Sequence, residues 1–214
     1  MAVVAPRGKR RTQAERREGT IRKLLDAATS SLVEVGYAAT SVQVICDRAG
    51  TSQGALFRHF DSREALMVAV GEDVGRRTLL RYRREFSSLL GQEDGAVQAA
   101  RLLRDRCHSR INQAWYELTM AARTSPTLRK GLRPVAVAYY ADIERLAREL
   151  LPDLAERLGD RFSVLVDTAV AVFDGEMLHR FVLPQPAIER ARLDMFALFG
   201  ALARPPTGGA RRGA

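Results

Sequence analysis

The chain has 214 residues, 46% of them hydrophobic, with 34 Lys and Arg against 25 Asp and Glu and a formal net charge of +9. That composition suits a globular protein with a real core and excludes a disordered chain. Two cysteines, Cys46 and Cys107, are too few and too far apart for a disulfide framework, and a reducing, cytoplasmic compartment fits them.

The charge is concentrated at one end. From Arg7 to Lys23 eight basic residues stand against Glu15 and Glu18, so +6 of the +9 lies there. Residues 1–17 read as a basic disordered arm, suited to nucleic acid or to an anionic membrane surface. No apolar stretch follows these charges, so no secretory signal is read. No run of about 18 apolar residues is present to span a membrane.

Ile21, Leu24, Leu25, Ala28, Leu32 and Val35 recur at helical spacing. Gly36 stops that helix, since glycine tolerates the left-handed conformation past a helix end. Thr40-Ser-Val-Gln43 reads as a capping box, with Thr40 as cap, opening a helix to Ala49. Gly50 is a turn, Ser52 caps a further short helix to Phe60, and Asp61-Ser-Arg-Glu64 opens a long helix reaching past Arg81. Further helices are expected near 96–123, 126–150, 160–182 and 186–203, with breaks at Leu151-Pro152 and Pro184-Gln-Pro186. No stretch alternates long enough for a strand, so the fold class is all-α. The tail, 205–214, is rich in Pro, Gly and Arg and reads as disordered.

Residues 40–60 form a helix-turn-helix. A small residue at the turn lets two helices cross steeply, and Val42, Ile45, Ala49, Leu56 and Phe60 supply the apolar contacts that set the crossing. The second helix of such a unit enters the major groove with its N-terminal residues at base edges.

Residues 21–70 resemble the DNA-binding domain of TetR-type regulators. The resemblance rests on Ala27-Ala28, Gly36-Tyr37, Thr40-Ser-Val42, Ile45, Ala49-Gly50, Ser52-Gln-Gly-Ala-Leu-Phe-Arg-His-Phe60 and Ser62-Arg-Glu-Ala-Leu66. It implies an N-terminal three-helix DNA-binding domain at 18–78 and a larger helical ligand-binding and dimerisation domain at 79–204. Three positions depart from the pattern: Phe57 where Tyr is usual, Cys46 where Ala is usual, and Ser31 where Leu is common.

The implied roles follow residue by residue. Gln53 reads a base, because a carboxamide bonds bidentately to adenine. Gly54 lets the backbone approach DNA, and Ala55 and Phe57 touch a thymine methyl or a sugar. Thr40, Ser41, Arg58, His59 and Arg63 are candidate phosphate contacts, which position without reading. The resemblance also implies a homodimer through the last two long helices, on an inverted-repeat operator. Phe162 to Leu183 is apolar on more than one face, and Ile188, Ala191, Met195, Leu198, Phe199 and Leu202 form a stripe. A small, largely apolar effector is expected in a pocket lined by Trp115, Tyr116, Met120, Tyr139, Tyr140, Phe173 and Met177.

An enzyme is the first rival. The three histidines, His59, His108 and His179, and the two cysteines show no metal-ligand spacing, and no nucleophile-elbow, P-loop or dinucleotide motif occurs. No catalytic residue, metal or cofactor is therefore expected. The other rivals are a basic membrane-surface or adaptor protein, an activator, and a ligand-independent regulator. Repressor is the default that the resemblance implies.

Overall fold

A computed structural model describes residues 12–86 and 95–202 of the chain. Helix α1 runs Gln13–Ala39, opened by a capping box in which Glu15 N donates to Thr12 Oγ1 (3.2 Å) and Thr12 N donates to Glu15 Oε2 (2.7 Å). The expected arm is thus shorter than 1–17: this cap turns residues 13–17 into the first turn of α1, and 1–11 lie outside the described residues.

Leu24, Ala28 and Leu32 of α1 are buried, as their spacing requires. At Gly36 the backbone turns to φ 76, ψ 170, a conformation essentially reserved for glycine, and the helix kinks before continuing to Ala39. The kink frees the Gly36 carbonyl, and the Thr40 hydroxyl donates to it at 2.7 Å. This corrects the expected capping box. Thr40 is fully buried, and Ser41 is the cap instead, its Oγ accepting from Val44 N at 3.2 Å.

Helix α2 (Val42–Ala49) ends at Gly50, which is left-handed at φ 63, and α3 (Gln53–Phe57) is capped by Ser52, whose Oγ accepts from Ala55 N. Ser62 caps α4 (Arg63–Phe86) in the same way through Ala65 N. Ile45, Leu56, Leu66, Met67 and Val70 close over Leu24, Ala28 and Leu32 to make the core of this head. Helix α4 passes straight through the expected boundary at 78–79, so head and body share one rigid element.

The body comprises α5 (Gly95–Cys107), α6 (Arg110–Ala122), α7 (Pro126–Leu150), α8 (Pro152–Leu158), α9 (Arg161–His179) and α10 (Pro186–Leu202). One helix was expected over 96–123. Instead the chain breaks at His108-Ser109, where Ser109 is extended and its hydroxyl donates to the Arg106 carbonyl at 2.7 Å. The short α8 was also unexpected. Pro152 serves as its first-turn residue and Gly159, at φ 54, ends it. Helix α4 packs along α7 and α6, α1 packs on α6, and α5 sits between α9 and α10. No strand occurs among the described residues, and none of their helices is long and apolar enough to cross a membrane.

Candidate functional site

Helix α3 is amphipathic in an unusual sense, because its outer side is occupied by residues with no packing role. Leu56 points fully into the core, while Gln53, Gly54, Phe57 and Arg58 are exposed and Ala55 is half-buried. Phe57 is 47% exposed, a large aromatic ring without a core to fill. A Cβ built on Gly54 would meet only Ser52 Oγ, at 4.0 Å, so nothing among the described residues requires glycine there. Arg58 makes no ion pair with any described residue.

Gln53 does not stand alone. Its Nε2 donates to Gln43 Oε1 at 2.6 Å, and Gln43 Nε2 donates to Asp47 Oδ1 at 2.7 Å. Two exposed carboxamides therefore meet where α2 crosses α3. Sequence reasoning assigns Gln43 to a cap and does not place it beside Gln53. The signal was its position one residue past a valine that packs inward, facing out from the helix before the turn.

The expected phosphate contacts divide. Ser41 and Arg58 are exposed and His59 is half-buried, with Arg58 and His59 directly following α3 in the chain. Thr40 differs, because its hydroxyl is buried and bonded to Gly36. Arg63 is a brace: its Nε donates to Thr40 O at 2.9 Å, another nitrogen donates to Tyr37 O, and its guanidinium lies 4.1 Å over the Tyr37 ring. Those bonds hold the kinked end of α1 against the start of α4, so its side chain is largely committed inside the head. His59 Nδ1 is buried without a partner among the described residues.

In the body, Trp115, Tyr139 and Tyr140, three of the expected lining residues, come together. Ring centroids are 5.7 Å apart from Trp115 to Tyr139 and again from Tyr139 to Tyr140. With Tyr82, Thr78, Arg106, Asn112 and Asp174 they line a cavity of about 30 Å³. The other expected lining residues lie elsewhere. Tyr116 sits behind the wall, where its hydroxyl donates to Asp174 Oδ1 and receives a bond from Asn112 Nδ2 (3.1 Å). Met120 is exposed, because it faces outward from α6. Phe173 is turned toward α10, 5.2 Å from Phe196, and Met177 is buried in the main core. Burial holds Asp174 above the usual carboxylate range, with the bond from Tyr116 partly opposing it. Burial also pushes the Tyr140 hydroxyl up to about 12.

A cleft of about 500 Å³ runs between α4 and α7 beside this cavity. Leu79, Tyr139 and Leu146 form walls of both. Helices α9 and α10 carry a different feature. Val164, Leu178, Phe181, Ile188, Met195 and Leu198 are all exposed, while Leu193 and Phe196 on the other side of α10 pack inward. The side chains of Phe199 and Leu202, expected in the same stripe, lie outside the described residues. The two helices are tied to α5 by Glu176, which is fully buried between Arg104, Arg192 (2.9 Å) and His108 Nε2 (3.1 Å).

Comparison with known proteins agrees with this layout. The model of the bacterial regulatory proteins of the tetR family matches residues 24–70. A helix-turn-helix-type transcriptional regulator of Mycobacterium tuberculosis strain H37Rv is 40% identical over 185 residues, covering 86% of this chain and 94% of its own length. The regulator CymR of Pseudomonas putida is 33% identical over 128 residues, 58% of this chain and 62% of its own. Among solved structures, the multidrug binding protein EbrR complexed with imidazole superposes with a TM-score of 0.62 at 22% identity, over 89% of this chain and 97% of that one. A transcriptional regulator from Rhodococcus sp. superposes with a TM-score of 0.65 at 18% identity, over 87% and 99%. At such identities the structures speak to the fold.

Proposed function

This chain belongs to the TetR family of bacterial transcriptional regulators, DNA-binding proteins rather than enzymes, and from that premise we propose that it is a cytoplasmic repressor that binds an inverted-repeat operator as a homodimer and is released by a small, largely apolar effector. The observation that carries the DNA half is the outer side of α3, where Gln53, Gly54 and Phe57 are exposed and do nothing for the fold. Gln43 and Gln53 offer carboxamides to base edges, and Ser41, Arg58 and His59 flank them for phosphates. One α3 reads few bases. Two, related by a twofold axis and about 34–36 Å or a multiple apart, read a specific site.

The unpartnered apolar surface of α9 and α10 supports a dimer, since a patch of that extent is rarely left to water. The aromatic cavity supports an effector. So does the neighbour EbrR, a multidrug binding protein with solved complexes of imidazole, malachite green and ethidium. The coupling path is α4. Its first turns carry Leu66, Met67 and Val70 in the core of the head, and its later turns carry Leu79 and Tyr82 into the cavity wall. An effector that separates α4 from α7 would tilt the head and change the spacing between the two copies of α3. It does so only to the extent that it binds the released state more tightly than the DNA-bound state.

Selection of bound fragments from the source genome, with the protein's own promoter included, tests this reading. An inverted repeat with one dimer per site is the expected result. Enrichment of no sequence, or of a single half-site by a monomer, would overturn it.

A further inference from the structure

Three buried side chains that line the aromatic cavity each carry a polar atom unpaired among the described residues. They are Asn112 Oδ1, Thr78 Oγ1 and Arg106 Nε, on residues that are 4%, 5% and 9% exposed. Their hydrogen-bonding senses differ, and that difference carries information about what would fit between them. Asn112 spends its Nδ2 on Cys107 O and on the Tyr116 hydroxyl, so its amide cannot flip without losing both bonds, and the unpaired atom is an acceptor. Arg106 has its charge answered by Glu85 at 3.1 Å, which leaves Nε as a lone N–H donor. The Thr78 hydroxyl can donate or accept.

A carboxylate in this place would face the Asp174 carboxyl and leave Asn112 Oδ1 without a donor. An ammonium would serve Asn112 but has no lone pair for Arg106 Nε. A hydroxyl donates once and accepts twice, and it completes the set without burying a net charge. The remaining walls are aromatic.

We infer that the effector, on the ligand-responsive reading given above, is an uncharged hydroxyl-bearing aromatic, its hydroxyl bonded to Asn112, Thr78 and Arg106 and its ring held among Trp115, Tyr139 and Tyr140. The cavity of about 30 Å³ takes no more than a water or two. The ring needs the space of the adjoining cleft, and Tyr139 stands in the shared wall with Leu79 and Leu146. The Tyr139 ring rests on Gly75 of α4, so closely that a Cβ there would lie 3.1 Å from Tyr139 Cδ2. Turning Tyr139 into the cleft joins the two volumes and presses on α4, the helix that carries the head.

Trp115 is the sole tryptophan of the chain, and it lines the cavity, so its emission reports occupancy directly. The full-length protein is titrated with para-propylphenol, propylbenzene and para-propylbenzoate, which differ only at the group that would meet the polar end. The phenol should bind about tenfold more tightly than propylbenzene, the ratio expected for a hydroxyl that satisfies otherwise unpaired buried groups, and the benzoate should not bind. Thr78→Val, near-isosteric and checked for folding by circular dichroism, should cut the advantage of the phenol severalfold and leave propylbenzene binding as it was. Asn112→Leu should abolish that advantage, and if it fails to fold the Thr78→Val result decides.

Equal binding of phenol and propylbenzene, binding of the benzoate as tight as that of the phenol, or no change in Trp115 emission with any of the three overturns the assignment. Release of the operator by a compound that leaves Trp115 emission unmoved also overturns it, yet leaves the ligand-responsive reading standing. Binding of the phenol at Trp115 with no weakening of operator binding does the reverse.

Discussion

In the head, α3 buries Leu56 and sends Gln53, Gly54 and Phe57 out to solvent. In the body, α6 and α7 send Trp115, Asn112 and Tyr139 inward, where polar atoms end without partners. Both regions hold groups that packing leaves unsatisfied, but on opposite sides of the surface. An exposed residue without a packing role points to a partner that arrives from outside. A buried polar atom without a bond points to something that must be taken in. The consequence can be tested, because substitutions on the outer side of the head should change binding without changing stability, whereas substitutions at buried charges of the body should change stability first.

The largest effect should come from Glu176. Its carboxylate is buried among Arg104, Arg192 and His108, and it ties α9 to α5 and α10. Glu176→Ala takes away the carboxylate shared by Arg104, Arg192 and His108, leaving Arg104 to Glu189 (2.6 Å) and Arg192 without that bond, a loss of about 1.5–3 kcal/mol. Denaturant unfolding measures it as a lower midpoint. A variant as stable as the parent would show that the body is not held by this cluster.

Next is the joint between the two regions. Gly36 sits at φ 76, ψ 170, and a Cβ there would lie 3.2 Å from Glu117 Oε2, the atom that accepts from Tyr37 N at 2.9 Å. Gly36→Ala should cost about 1–3 kcal/mol in stability, from backbone strain and from displacement of that carboxylate. Because Glu117 lies on α6 and Gly36 in the head, this variant should also loosen the head against the body, visible as faster amide exchange near residues 36–40 than elsewhere.

The head itself should behave differently. Gln53→Ala should weaken operator binding by about 1–3 kcal/mol and relax sequence preference at one position of each half-site. Its unfolding midpoint should stay within about 0.5 kcal/mol of the parent, as for exposed positions generally. Gln43→Ala should follow the same pattern through the shared carboxamide bond. Gly54→Ala is the sharper case. The free protein has room for the methyl, and helix propensity favours alanine by up to about 1 kcal/mol. So Gly54→Ala should fold at least as well as the parent and bind the operator more weakly. An unfolding midpoint that fell for Gln53→Ala would erase the contrast between the two regions.

The head was the more legible region because its determinants are local. Gly50, Ser52 and Ser62 act where their neighbours in sequence place them, as a turn and as two caps. The exception is instructive. Thr40 and Ser41 are both able to cap α2, and the choice falls to Ser41 only because the kink at Gly36 exposes a carbonyl that takes the Thr40 hydroxyl. In the body, residue type pointed to Trp115, Tyr139 and Tyr140, which share a cavity wall, and on the same grounds to Met120, Phe173 and Met177, which do not. Which side of a helix faces a cavity depends on its neighbours in space, and helical periodicity does not contain that. Nor does it contain the break at His108-Ser109, across which the apolar spacing runs on unaltered.

The smallest expected effect lies at that break. His108 is half-buried, with Nδ1 accepting from Arg180 at 3.1 Å and Nε2 facing Glu176. Burial, and then the nearby charge of Arg104, hold it below its ordinary value of 6.5, with Glu176 and Glu189 opposing and Arg180 adding to the depression. A histidine depressed in the folded state binds fewer protons there than in the unfolded chain. Its contribution to stability is therefore complete above pH 6.5 and is lost as pH falls from 6.5 through the folded value. Asp174 titrates in the opposite sense: because burial raises it, acidification through its range restores stability. The two can be separated by variant. His108→Gln should flatten the decline that begins at pH 6.5 and leave the behaviour of Asp174 at lower pH in place. If the decline survived in His108→Gln, the protons would be entering elsewhere in the body, and the Glu176 cluster would be insensitive to pH in that window.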